Sequence, residues 1–135
     1  MSKIQTIYQG NLITQNKHLD SGSELITEAP LDNHGKGEYF SPTDLLATAI
    51  VSCVFTIAGM AAKTGNFSID GATAETTKKM TETPPRRIAE IAINFDFSIC
   101  NLNEKQQKIV KHCSENCPVA LSLHPDVKKV FNFKF

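Results

Sequence analysis

The chemistry open to this chain rests on its thiols: Cys53, Cys100, Cys113 and Cys117. A thiol attacks only as thiolate, and its ordinary pKa near 8.5 must be lowered by a helix N-terminus or a cationic neighbour. Cys117 precedes Pro118. Proline ends one helix and suits the first position of the next, so Cys117 is predicted at or just before the start of a short helix, Pro118–Leu123. Unpaired backbone N–H groups there would favour a thiolate. The same residue equally suits a small, buried apolar position, which is common for free cysteine. Cys53 lies in mid-helix, where apolar burial raises a thiol pKa. Ser52 and Thr56 are hydroxyl neighbours able to donate to it. On residue chemistry alone, Cys117 is the better activated of the two. Cys100 follows an alternating strand with parity opposite to the apolar set, so it is predicted to face away from the core and no role attaches to it. Cys113, four positions before Cys117, is within reach of it if one helix runs through both.

His112, Cys113, Cys117 and His124 crowd into one stretch, and the C-x3-C spacing is acceptable for zinc. His112 adjoins Cys113, however, and points to another side of the helix, so no metal is expected. His18 and His34 stand in loops, no Ser/His/Asp set is apparent and no glycine-rich phosphate loop occurs. The expectation is a cofactor-free protein whose function rests on thiols.

The element that must position Cys53 is Ser41–Lys63, which carries no charge from Leu45 to Ala62. Ser41 has the type of a helix N-cap, Pro42 suits the first helical position and Asp44 completes a capping box. The apolar body rises about 27 Å, a little short of a bilayer core of about 30 Å. Thr48, Ser52 and Thr56 form a hydroxyl stripe along it, with no aromatic belt or basic flank. A buried helix of a soluble fold is therefore expected, with no membrane partner.

Around it the chain reads as βββ-α-ββ-α-α-β, an α+β domain spanning 1–135. Lys3–Gln9, Leu12–Lys17 and Glu24–Glu28 suit a β-meander, and Pro30–Phe40 suits a mobile loop. Phe67–Lys79 and the Ile88–Ile99 strand should pair as a hairpin through Thr81–Pro85. A helix capped by Asn101 or Asn103 runs to about Asn116, and Val127–Phe135 is the final strand. Acidic and basic residues balance at 14 each, with arginine only at Arg86 and Arg87. Nothing in that balance favours nucleic acid or an anionic membrane. The N-terminus lacks the apolar core of a signal peptide. The cytoplasm is the expected location, where four cysteines are not a disulfide scaffold.

Three blocks carry a family resemblance: S-P-T-D-L-L-A-T-A-I-V-S-C-V-F-T (Ser41–Thr56), P-P-R-R (Pro84–Arg87) and N-C-P-V-A-L-S-L (Asn116–Leu123). They resemble the OsmC/Ohr family, most closely its YhfA-like branch, in the family's order and over nearly the whole chain. The resemblance implies a compact OsmC-like α+β fold with a β-meander, a long buried central helix, a β-hairpin, a helix pair and a C-terminal strand. It also implies an intertwined homodimer. The implied activity is thiol-dependent reduction of organic hydroperoxides or hydrogen peroxide in oxidative stress defence. Cys53 becomes the attacking thiol and Cys117 the resolving one, which reverses the ranking by residue chemistry. Cys53 would pass through a sulfenic acid, Cys117 would close a disulfide, and an external dithiol reductant would reopen it.

Two departures accompany the resemblance. The family's peroxidases carry a glutamate ten residues before the attacking cysteine, where this chain has Thr43; Asp44 beside it is the substitute on offer. The family's N-terminal arginine is also absent, leaving Arg86, Arg87 or Lys36 to support the Cys53 thiolate. A second reading follows from those losses: a catalytically weak member that binds a small apolar or acyl ligand in a cleft between subunits.

Overall fold

The computed structural model describes residues 1–135, which form two compact units, Met1–Leu46 and Ala47–Phe135. In the first, β1 (Ile4–Gly10), β2 (Ile13–His18) and β3 (Glu24–Glu28) make the expected antiparallel meander. The β1–β2 turn puts Gly10, Asn11 and Leu12 at positive φ, with the pairing register shifting beside it. Cross-strand register sets Ile4, Tyr8 and Leu25 on one face of the sheet and Ile7 and Ile26 on the other, all exposed. Isolated exposed apolar residues are ordinary, but five on two short strands leave both faces uncovered within the unit.

The segment read from sequence as a mobile loop is fastened by a carboxylate. Phe40 returns beside Thr27, and the Glu28 amide donates to the Phe40 carbonyl at 3.1 Å. The Glu28 side chain accepts from the Tyr39 amide at 2.9 Å and from the Glu38 amide. Those bonds, Tyr39 first and Glu38, Lys36 and Gly37 after it, hold the Glu28 pKa below its ordinary value against the opposing effect of burial. Because the folded carboxyl titrates lower than the unfolded one, its contribution is complete above the ordinary glutamate value of about 4.3. It is lost as pH falls through the lower folded value. Amide-exchange protection at Glu38 and Tyr39 is therefore expected to collapse in that acidic window, and to be weak at every pH in a Glu28→Ala variant. Unchanged protection in either case would show that the carboxylate does not hold the loop.

α1 (Pro42–Thr64) starts as predicted. The Asp44 amide donates to Ser41 Oγ at 3.1 Å, while Asp44 Oδ2 accepts from the Ser41 amide at 2.9 Å and the Ser41 hydroxyl at 2.7 Å. This is a reciprocal capping box.

In the second unit, α1 buries Ala47, Ile50, Val54, Ala58 and Ala62, one stripe at helical spacing. Burial along the helix is confined to that stripe. Ser52 and Thr56 are exposed, and Met60 is 64% exposed. The buried stripe packs on a sheet ordered β4 (Thr73–Met80), β5 (Ile88–Asp96), β6 (Lys128–Lys134). The hairpin closes through Thr81 and Arg87, whose backbones bond at 2.8 Å. β4 begins at Thr73 rather than Phe67, because a turn at Ile69–Ala72, with Gly71 at φ 82, breaks the run.

β6 runs parallel to β5, which requires a crossover; α2 (Glu104–Glu115) and α3 (Pro118–Leu121) supply it. Asn103 caps α2 in a second reciprocal box with Gln106. Phe95 lies at the centre of an aromatic cluster, touching Phe55 of α1, Phe97, and Phe131 and Phe133 of β6.

The predicted strand through Ile99 needs correction. Asp96 Oδ1 accepts from the Ser98 amide at 2.9 Å, turning the chain into a short 3-10 segment, Ser98–Cys100. Aspartate bonding the backbone two residues on is an Asx-turn, and it ends the period-2 ladder. Ile99 is accordingly 68% exposed, and Cys100 packs against the core instead of facing away.

Candidate active site: the Cys53–Cys117 thiol pair

Cys53 sits on α1 next to the buried stripe and is half-buried. The break at Pro118 positions its partner. Cys117 takes extended backbone angles (φ −64, ψ 117) as the N-cap of α3, and its sulfur accepts from the Ala120 amide at 3.4 Å. Its side chain is enclosed, at 0% exposure, in the cluster containing Ile50, Val110 and Ala120. The Cys117 thiol lies 3.8 Å from the Ile50 carbonyl oxygen, to which it can donate, and Cys53 is a close enough neighbour to act on its proton. Residues far apart in sequence thus make Cys53 and Cys117 neighbours, the first half-buried and the second shut in.

Burial pushes the Cys117 pKa up, and the hydrogen bond and charge of Cys53 push the same way; the Ala120 and Val119 amides pull against them. The net direction is upward. This overturns the expectation that the helix start makes Cys117 the activated thiol, because a few backbone donors do not outweigh desolvation plus a neighbouring thiol. Cys113 is also buried and raised by burial. Burial and then the charge of Asp70 raise Cys100, whose sulfur is 3.9 Å from the Asp70 carbonyl oxygen.

The Asp44 carboxylate bonds the helix start. On the hairpin turn, the Arg87 Nη2 is 3.2 Å from Asp126 Oδ2, an exposed pair of the kind that contributes little to stability. Arg86 adjoins it. The Thr56 hydroxyl donates to the Ser52 carbonyl at 2.8 Å rather than to the thiol. His112 lies 3.5 Å from Glu115, and His124 lies 3.6 Å from Asp126. Sequence reasoning missed the Ile50 carbonyl and the Ala120 amide as partners of Cys117. The Ala120 bond had a readable signal, a side chain capable of accepting three residues before it at a helix start. The Ile50 contact had none.

A separate hollow of about 540 Å³ is lined by Lys111, Ser114, Glu115, Phe131, Asn132 and Phe133. Neither Cys53 nor Cys117 lines it.

The model of the OsmC-like protein family matches residues 35–130. A candidate osmotic stress induced and detoxification response protein of Psychrobacter arcticus 273-4 is 46% identical. It aligns over 99% of this chain and 96% of its own, with a TM-score of 0.92. An organic hydroperoxide resistance protein OsmC of Legionella pneumophila is 16% identical over 100% of this chain and 97% of its own, with a TM-score of 0.77. OhrB of Bacillus subtilis is 18% identical over 99% and 98%, with a TM-score of 0.68. At these lower identities the last two bear on the fold alone. Among curated proteins none matches. The α+β architecture, the match over residues 35–130 and the 46% identical relative agree, and the chain belongs to the OsmC-like protein family.

Proposed function

We propose that this protein reduces organic hydroperoxides or hydrogen peroxide by a two-thiol cycle, as a cytoplasmic homodimer serving peroxide stress defence. The observation that carries the reading is that half-buried Cys53 and enclosed Cys117 are neighbours across the fold. A peroxide arriving from solvent meets Cys53 first. Cys53 thiolate attacks the terminal peroxide oxygen, the O–O bond breaks, and the alcohol or water departs with a proton, leaving a sulfenic acid. Cys117 then attacks the Cys53 sulfur, water leaves and the disulfide forms; an external dithiol restores both thiols. The hydroperoxide resistance named for the Legionella and Bacillus proteins supports the substrate class, as does detoxification for the Psychrobacter relative.

Within this reading, Arg86 and Arg87 are the thiolate-supporting cations and Asp44 the acid of the helix start. The homodimer is supported by the uncovered apolar residues of the first-unit sheet and by Met60.

One equivalent of cumene hydroperoxide is expected to be consumed with formation of a Cys53–Cys117 disulfide, located by peptide mapping. Peroxide left unconsumed, or a disulfide formed elsewhere, would sink the proposal.

A further inference from the structure

To the dithiol that reopens the cycle, the two sulfurs of a Cys53–Cys117 disulfide are not equivalent. Exchange requires a thiolate to reach the sulfur it attacks, while the other sulfur departs with the electron pair. Cys117 is 0% exposed in a cluster that includes Ile50, Val110 and Ala120, whereas Cys53 is only half-buried on α1. Resting on the peroxide-reduction reading, we propose that the reductant attacks Cys53, so that the mixed disulfide forms on Cys53 and Cys117 is the leaving sulfur.

The surroundings of Cys117 suit that part. The Ala120 amide points at its sulfur from 3.4 Å, and the Val119 amide acts in the same direction. Both stabilise negative charge arriving on the sulfur as the S–S bond breaks. Two of the three influences that hold a proton on Cys117 come from Cys53. They disappear once the Cys53 sulfur is bonded to the reductant, leaving burial alone against the two amides.

The exchange balances without a further oxidant. The first reductant thiolate bonds to Cys53 Sγ, the protein S–S bond breaks, and Cys117 leaves as thiolate and takes up a proton. The second thiolate of the reductant attacks its own partner sulfur, expels Cys53 thiolate and closes the reductant's disulfide. Return attack by Cys117 competes with this second step and re-forms the protein disulfide. A monothiol, having no second thiolate in place, is therefore held as a transient adduct on Cys53.

The test uses that adduct and no peroxide. The intact protein is oxidised with diamide, exposed briefly to mercaptoethanol, quenched in acid, unfolded with a maleimide and mapped by mass spectrometry. The expected product carries mercaptoethanol on Cys53 and maleimide on Cys117, in excess over the reverse pattern by about tenfold or more. Equal adducts, an excess on Cys117, or a disulfide that opens only after unfolding would overturn the inference and leave the peroxide reading intact. Failure of diamide to form any Cys53–Cys117 disulfide would overturn both.

Discussion

Cys53→Ser is expected to lower kcat/KM for cumene hydroperoxide by about 10³-fold or more, a loss of roughly 4 kcal/mol of transition-state stabilisation. The reason is chemical. A thiolate is the attacking species at an O–O bond, and a serine hydroxyl at neutral pH supplies almost no anion. The substitution is small and falls beside the buried stripe of α1 rather than within it, so circular dichroism and the melting curve should change little. The contrast with Cys117→Ser separates the two roles. That variant should still react once and retain a Cys53 sulfenic acid that a dimedone-type probe labels, because no partner thiol closes the disulfide. Parental peroxide turnover in Cys53→Ser would refute Cys53 as the attacking group. Labelling of Cys117 in place of Cys53 would return the roles to the order residue chemistry first assigned.

Phe95→Ala carries the largest expected effect on stability. Phe95 is 2% exposed. Its ring meets Phe55 edge-on at 5.4 Å and stacks on Phe133 at 5.1 Å. Removing such a ring forfeits its transfer free energy and leaves a cavity, typically about 3–5 kcal/mol. For a chain of this length that is roughly a 10–20 °C fall in Tm, measured at fixed protein concentration because self-association would shift it. The position also bears on function, since Phe55 lies two residues beyond Cys53 and its contact with Phe95 joins that part of α1 to β5. Phe135→Ala, at the half-buried end of the same cluster, should cost clearly less. Equal losses at the two positions would mean that the cluster has no centre.

Much of the scaffold was legible because its signals are local. Ser41, Pro42 and Asp44 announce the start of α1 within four residues. Pro118 announces the α2–α3 break, and alternation from Ile91 to Phe97 announces β5 with its inward set. The misreadings have local causes as well, seen only when backbone geometry is known. The Asx-turn at Asp96 let Ile99 continue the alternation in sequence but not in space. The turn before Thr73 shortened β4 in the same way. Neither the Glu28 tie to the loop at Tyr39 nor the Arg87–Asp126 pair has a sequence signature, since each joins side chains to groups from another part of the chain.

By itself, the sequence determined the order of elements, the capped apolar helix that carries Cys53, the placement of Cys117 at a helix start and, through three short blocks, the family. Tertiary structure alone decided that Cys53 and Cys117 are neighbours, that Cys117 is shut in while Cys53 is only half-buried, and that the Cys117 pKa moves up rather than down. Capping, turns and periodicity act over a few residues and are written in the order of side chains. Desolvation and the approach of the two cysteines depend on how α1 and the α2–α3 break pack together, and that is set by the whole core.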